Sequence, residues 1–234
     1  MFKSNYNNPG KGIPKDIPKK KGFALFAEIF IREFWTLVSL NVLFIFASIP
    51  VVTVGAAYGA MYHVIIKMMR DEPVDLTFDF KYGFKRNWKQ STQVYFITIF
   101  SAIILYVAYI FYGNLHSVMY YIMNSILFYM CMAYIYVFPM LVSVELNLKN
   151  LLKNSISLSV ISLWRSILAS ILLITMVFIT LLFFPVSIFY IFFIGMSFTS
   201  FVMGFFAYYA IHKYVEFHED TTENLSLETT AEEI

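Results

Sequence analysis

The chain has 234 residues, of which 59% are apolar and only 14% charged, with a formal net charge of +2 and a mean hydropathy of +0.69. Ordinary soluble domains are about 45–50% apolar and about 25% charged, so this composition excludes a soluble enzyme, a disordered protein and a fibrous repeat. The single cysteine, Cys131, also excludes an intrachain disulfide and a cysteine-based zinc cluster. We therefore predict an all-α, polytopic membrane helix bundle with about six transmembrane helices and short outer turns.

The N-terminal segment, residues 1–22, is a basic arm rich in proline, glycine, lysine and asparagine. It lacks an apolar region followed by a cleavage site, so we interpret it as a flexible cytoplasmic arm and not as a cleaved signal peptide. Residues 23–33 follow with phenylalanines at helical spacing, and Glu28 and Arg32 pair on the opposite face. This pattern predicts an interfacial helix whose neighbouring lysines meet anionic lipid head groups; a plain topology anchor is the alternative.

Stretches without Asp, Glu, Lys or Arg mark the membrane spans, and the longest of them are residues 34–66, 90–144 and 166–212. A spanning helix needs about 20 apolar residues, so the second and third stretches are each long enough for two helices. A small polar island at 113–117 and Pro185 supply the breaks within them. The apolar runs do not alternate with polar residues as barrel strands do, so every span is predicted to be helical.

The first stretch is ambiguous, because it is too long for one span and contains Pro50. At about 1.5 Å per residue, a single helix would exceed the hydrocarbon core of about 30 Å. Basic segments precede and follow the stretch, so the positive-inside rule requires an even number of spans between them. A hairpin of 34–49 and 51–69 satisfies this parity, whereas one kinked helix does not. Six spans then place both termini and every charged residue on the cytoplasmic side.

The membrane domain defined in this way covers residues 23–212, and two hydrophilic segments adjoin its spans. Residues 67–89 are predicted to be a cytoplasmic docking loop, and they form either a helix that lies in the membrane interface with a basic face or a surface that docks another protein. The aromatic and basic set of this loop is Lys81, Phe84, Lys85, Arg86, Trp88 and Lys89. A membrane interface selects the same mixture, so nucleic-acid binding is disfavoured and plain anchoring is the alternative. Residues 213–234 form an acidic tail, which we expect to be solvated and cytoplasmic.

Few groups in the spans are capable of chemistry. No predicted span carries a charged residue at its centre, which argues against an ion-relay pump. The sequence also lacks the signatures of metalloproteases, P-loop proteins, dinucleotide-binding folds and serine hydrolases, so we predict no enzyme activity, cofactor or metal site. His63, Asn114 and Asn124 are the candidate contacts to a polar solute, although a lone buried histidine more often donates to a neighbouring carbonyl.

Small residues at helical spacing predict a close helix contact in the second span. Gly55, Ala56, Gly59 and Ala60 form a GxxxG-type face, and such faces allow helix backbones to approach where lipid supplies no hydrophobic drive. Packing within the chain, a homo-oligomer contact and a contact with a separate permease subunit all fit this face.

Two motifs in the first half of the chain resemble those of a known family. The run NVLFIFASIPVVTVG, from Asn41 to Gly55, is similar to the N-x-L…S-x-P-(I/V)-(V/F)-T-(I/V)-G stretch of the YesL family, formerly a domain of unknown function, DUF624. The run FKYGFKRNWKQST, from Phe80 to Thr92, is similar to its F-x-x-x-F-K-x-N-(F/W)-K-Q-(A/S)-T segment. The span pattern extends the resemblance over about residues 24–215, whereas the basic arm and the acidic tail depart from it.

Members of that family occur in Gram-positive bacteria and are often encoded near sugar-uptake and glycan-degradation systems. The resemblance therefore implies a multi-pass protein of the bacterial plasma membrane, an accessory component linked to carbohydrate uptake that contacts membrane lipids and subunits of a sugar importer. An autonomous small transporter or channel for an uncharged solute is the alternative. The Glu-Ala-Ala coupling-loop signature of an ATP-driven importer's permease is absent, and the family has no established catalytic residues to carry over.

Within the first motif, Pro50, Thr53 and Gly55 give the predicted outer hairpin a physical basis. Proline tolerates the first turn of a helix, because its missing donor has no partner there. The Thr53 hydroxyl can bond a freed carbonyl, and Gly55 allows close packing. We expect these residues to pin the hairpin against a neighbouring span.

Overall fold

The computed structural model describes residues 22–112 and 118–216, and all regular structure in these ranges is helical. The α-helices are numbered in chain order: α1 Phe23–Arg32, α2 Phe34–Ala47, α3 Val54–Met69, α4 Leu76–Tyr112, α5 Val118–Ser143, α6 Leu148–Ile161, α7 Leu163–Leu182, α8 Ser187–Tyr190 and α9 Met196–Ile211. A 3-10 turn at Val51–Thr53 precedes α3, and π-helical turns at Ile191–Gly195 and His212–Glu216 flank α9. The predicted helical class is confirmed.

The described residues fall into two compact units, one that ends at Arg32 and one that begins at Glu33. Within the first, the predicted helix 23–33 is present as α1. Its phenylalanine rings stack along one face, with centroids 6.0 Å apart for Phe23 and Phe26 and 6.3 Å apart for Phe26 and Phe30. The aromatic spacing in the sequence is therefore a helical stripe, as predicted.

The central helix of the second unit is α3, which packs against α2, α4, α5 and α9. Twelve of its residues are buried, among them Gly55, Gly59 and Ala60. In contrast, the part of α4 that follows its charged first turns exposes large apolar side chains, as Phe100 (64% exposed), Ile104 and Phe111 show. An apolar helix surface of this kind is what contact with lipid requires.

The number of spans agrees with the prediction of about six. Within the described residues, five helical segments are long and apolar enough to cross a membrane, and α1 and α2 counted together as one span give a sixth. The predicted span 34–49 appears as α2, whose 14 residues extend only about 21 Å, less than the hydrocarbon core of about 30 Å. The helical break after α2 lies at Pro50. The Thr53 hydroxyl stabilises the turn there, because it donates to the Ala47 carbonyl oxygen at 2.6 Å and to the Pro50 carbonyl oxygen at 2.7 Å.

The segment 67–89 is mostly helical, which is the form that one of its two interpretations gave it. The helix α3 continues to Met69 and α4 begins at Leu76, so only residues 70–75 lie between them. The segment that joins α5 to α7 contains a helix that was not predicted, α6, which buries Leu151, Ser155 and Leu158.

Several predictions fall on residues outside the described ranges. They concern the basic arm up to residue 21, the outer turn 113–117 with Asn114, and the acidic tail from residue 217 onward. The first residues assigned to that tail, up to Glu216, continue the last helix as a π-helical turn.

Candidate functional site

A polar cavity of about 230 Å³ lies where α3 ends and α4 begins, with Val142 of α5 on its wall. We call this region the charged end of the bundle, because the cavity is lined by six ionisable side chains: His63, Lys67, Arg70, Glu72, Asp79 and Arg86. Two aromatic side chains, Phe78 and Tyr82, complete the lining and are 66% and 47% exposed. Of the residues predicted to contact a solute or to dock a partner, His63 and Arg86 are brought together here.

The most ordered element of the cavity is the ion pair between Lys67 and Asp79. The Lys67 Nζ donates to both carboxylate oxygens of Asp79 at 2.9 Å, and Asp79 is only 4% exposed. Asp79 Oδ2 also accepts from the Asp75 backbone N–H at 2.9 Å. A carboxylate with these donors is held in one position, so the lysine ammonium is held in the cavity wall.

The local sequence explains why α4 begins beside this pair. Asp75 caps the helix, since its Oδ1 accepts from the Phe78 backbone N–H at 3.1 Å, which satisfies one of the free donors of the first turn. The Asp75 backbone N–H is bonded in return by Asp79, an arrangement related to a capping box. Pro73 precedes the cap within the short connection 70–75, where the chain is not helical.

Close packing of α3 against α4 holds the two walls of the cavity together. A Cβ atom added at Gly55 would lie 2.7 Å from the Ser91 carbonyl oxygen and 2.8 Å from the Thr92 Cα. One added at Gly83 of α4 would lie 2.7 Å from the Cβ of His63. The small-residue face of α3 thus packs within the chain, with Gly55 and Gly59 against α4, while Ala56 and Ala60 are buried.

The residues predicted to dock a partner all lie in the N-terminal half of α4. Phe84 is half-buried, and the other five are exposed: Lys81, Lys85, Arg86, Trp88 and Lys89. The Lys89 ammonium lies 5.7 Å from the centre of the Trp88 ring. Arg86 differs from the rest, because its Nη2 donates to Glu145 Oε1 at 3.0 Å.

A second polar cavity, of about 440 Å³, adjoins Arg86 on its other side. Its polar lining is rich in amides and consists of Asn87, Gln90, Asn147 and Asn150 together with Arg86 and Glu145. Gln90 Nε2 donates to the Leu146 carbonyl at 2.7 Å and so holds the connection between α5 and α6 against α4.

The predicted solute contacts do not form one site. Asn124 lies on α5 beside a third cavity, of about 400 Å³, which shares no lining residue with the charged-end cavity. Its Nδ2 donates to the Tyr120 carbonyl of its own helix at 2.8 Å. Asn114 is outside the described residues. Among these candidates, His63 therefore lines the charged-end cavity without either asparagine.

Sequence reasoning missed the role of Asn41, which is fully buried in α2. Its Nδ2 donates to the carbonyls of Ile191 and Phe192 at 2.9 and 2.6 Å, and its Oδ1 accepts from the N–H groups of Met196 and Ser197 at 3.1 and 3.0 Å. The two carbonyls lie in the π-helical turn Ile191–Gly195 and the two N–H groups directly follow it, where regular i→i−4 bonding is interrupted. An amide inside an apolar run was the available signal, because a buried polar group in a span needs a partner.

A second missed cluster joins α5 to the α6–α7 junction. The Tyr136 hydroxyl lies 2.9 Å from both the Ser162 and the Ser166 hydroxyl oxygens, and all three residues are buried. Ser166 in turn lies 2.9 Å from the Ser159 carbonyl, to which it donates. This chain of hydrogen bonds holds α5 to the adjacent ends of α6 and α7.

These features define a class: a membrane-type helical protein with a central, tightly packed helix and a polar cavity at the charged end of its bundle. Residues 37–109 match the model of a family described as "Protein of unknown function, DUF624". The predicted family is confirmed over that segment, which is less than half of the chain and contains Asn41, α3 and most of α4. No curated protein and no solved structure matches the chain.

Proposed function

We propose that this protein is an accessory membrane subunit linked to carbohydrate uptake, which binds and steadies the subunits of a sugar importer and has no enzymatic activity of its own. The proposal places it in the bacterial plasma membrane as a multi-pass protein with both termini in the cytoplasm. Its carbohydrate link rests on the DUF624 match together with what the family resemblance implies, namely that such proteins are often encoded near sugar-uptake systems.

The observation that carries the accessory role is the exposed basic and aromatic surface on the first turns of α4. The side chains of this surface are exposed, and they lie on a helix that is capped by Asp75 and packed by glycines against α3: Lys81, Lys85, Trp88 and Lys89. A rigid helix that presents such side chains offers a preorganised contact for a partner, because little side-chain and backbone order is lost on binding.

Close packing of the bundle centre supports this role over transport. The glycine contacts at Gly55, Gly59 and Gly83 bring α3 and α4 to backbone distance, so the charged-end cavity does not continue between these two helices as a passage. A subunit that supports another protein does not need such a passage, whereas a transporter that used this helix pair would.

Recovery of partners in gentle detergent tests the proposal. We expect the tagged full chain to recover permease or ATPase subunits of an importer in stoichiometric amounts from native membranes. The variant K85E/K89E should lose them, whereas K149E/K153E, with the same two charge reversals on exposed positions of α6, should retain them. Recovery of the chain alone, as a monomer or a homo-oligomer, would contradict the accessory role.

An autonomous small transporter or channel for an uncharged solute is the second candidate, and the third cavity favours it. Tyr106, Tyr109 and Asn124 line this cavity of about 400 Å³, and aromatic faces with an amide are suited to sugar hydroxyls and ring faces. Counterflow of a labelled sugar into liposomes that contain only this protein would support this candidate. Loss of that exchange in Asn124→Leu, with Asn150→Leu unaffected as the control, would assign it to this cavity.

A further inference from the structure

We propose that the charged-end cavity binds a phosphate-bearing anion, namely the head group of an anionic lipid. The inference is independent of the accessory role, because a lipid site is compatible with either candidate function. It rests on the charge, size and surroundings of the cavity, which shares only Arg86 with the predicted docking set.

Charge in the cavity wall favours an anion. Three cationic side chains, Lys67, Arg70 and Arg86, face two carboxylates, Glu72 and Asp79. The buried carboxylate of Asp79 is already engaged by the Lys67 ammonium and by a backbone N–H. Its negative charge is therefore compensated within the wall and weakly opposes a second anion.

Arginine geometry supplies the donors that a phosphate needs. A guanidinium has five N–H donors, and the Arg86 ion pair uses one nitrogen, at 3.0 Å from Glu145 Oε1. Glu145 is a weak competitor for it, since its side chain is 87% exposed and an exposed ion pair contributes little. Arg86 can thus turn its remaining donors toward an anion in the cavity, and arginine binds phosphate through two parallel hydrogen bonds.

The size and position of the cavity indicate a lipid head group. Its volume of about 230 Å³ lies below the roughly 300–1,000 Å³ typical of sites for whole organic ligands, so it suits a single phosphate group with its substituent. Phe78 and Tyr82 are exposed at its edge, while Ile66 and Val142 provide apolar wall. Aromatic side chains beside basic ones at the ends of spans are typical of a membrane interface, where basic cavities between helices bind lipid head groups.

Thermal unfolding of the purified full chain in a neutral detergent tests the site with three probes. Short-chain phosphatidylglycerol should raise the Tm by several degrees in a concentration-dependent way, whereas short-chain phosphatidylcholine should not. Inorganic phosphate distinguishes a lipid head group from free phosphate as the occupant of the cavity. A smaller rise in Tm with phosphate than with phosphatidylglycerol supports the lipid head group, and an equal rise supports an anion site that free phosphate occupies. Equal shifts with both lipids, or no shift with any probe, would overturn the proposal.

Paired variants separate anion binding from the ion pair. R86Q should weaken the apparent affinity for phosphatidylglycerol about tenfold or more, the amount expected for a lost charge-assisted hydrogen bond. E145Q removes the same ion pair but leaves the cation, so it should bind as well as the wild type or better. K153Q, a matched charge loss on α6, should have no effect. An equal loss of affinity for phosphatidylglycerol in R86Q and E145Q would overturn the proposal. If R86Q does not fold, R70Q provides the second test of the same loss of affinity.

Discussion

Replacing Asn41 by leucine should destabilise the last span more than any conservative change at the lipid-facing surface. Leucine has a similar volume but cannot bond the four backbone groups that Asn41 now satisfies, two carbonyls and two N–H groups around the π-helical turn Ile191–Gly195. Since Asn41 is fully buried, water cannot replace the amide. The change therefore leaves unsatisfied polar groups inside the bundle.

The magnitude follows from the four hydrogen bonds. A side-chain hydrogen bond between membrane helices contributes about 0.6 kcal/mol on average, and one in a protein interior contributes about 0.5–1.5 kcal/mol. Four bonds therefore contribute about 2–4 kcal/mol. A chain of this size loses about 2–4 °C of Tm per kcal/mol, so we expect N41L to lower the Tm by roughly 5–15 °C.

Thermal and denaturant unfolding in the same detergent measure this loss. The matched control is N124L, because Asn124 is exposed and bonds only to a carbonyl of its own helix. N41D is a second variant: its carboxylate keeps the acceptor for Met196 and Ser197 but places an oxygen against the carbonyls of Ile191 and Phe192, so it should not rescue stability. A Tm for N41L equal to that of N124L would refute the assigned role.

Three further changes probe the packing and polar contacts in the same unfolding assays. G55A should lower stability by about 2 kcal/mol net, because its new methyl group meets the Ser91 backbone at 2.7 Å and overpacking exceeds the gain in helix propensity. Y136F should cost about 1 kcal/mol, since it removes the hydroxyl between two buried serines. D79L should cost about 2–3 kcal/mol, because it leaves the partly buried ammonium of Lys67 without its carboxylate.

Each of these three changes has a matched variant within the chain. G59A adds the same methyl group where the nearest atom is the Ser91 hydroxyl oxygen, which can rotate away, so a loss as large as in G55A would contradict the backbone contact. Y121F removes a hydroxyl from an exposed tyrosine and should be neutral. The double change K67M/D79L removes both charges of the pair and should recover most of the stability lost in D79L. Failure to recover would show that the unpaired ammonium of Lys67 is not the cause of that loss.

Local chemistry was sufficient to predict the helical class and the main breaks. The apolar stretches are continuous and the charges lie between them, so composition alone separates spans from connections. The break at Pro50 and its closure by Thr53 depend on residues a few positions apart, and such contacts can be inferred from the sequence. The close approach at Gly55 likewise follows from the absence of side chains on one helix face.

Contacts between distant parts of the chain could not be inferred in this way. Asn41 meets backbone groups about 150 residues later, and Tyr136 meets Ser166 across two helices, so nothing near either residue in the sequence indicates its partner. The sequence left open whether the first turns of α4 form a helix, although Asp75 is a good helix-capping residue. The charged-end cavity was missed as a site because its lining comes from α3, α4 and α5.

The unbroken length of α4 has a mechanical consequence. Its 37 residues extend about 55 Å, and the glycine contacts with α3 clamp it between Gly83 and Tyr95. The remaining residues, 96–112, extend about 25 Å beyond these contacts, and Tyr109 among them lies against Tyr120 of α5, with ring centroids 5.8 Å apart. A rotation of about 10° at the clamp displaces the end of α4 by about 4 Å over that length. A small repacking of the glycine contacts would therefore be amplified along α4 into a lateral displacement that α5 has to follow.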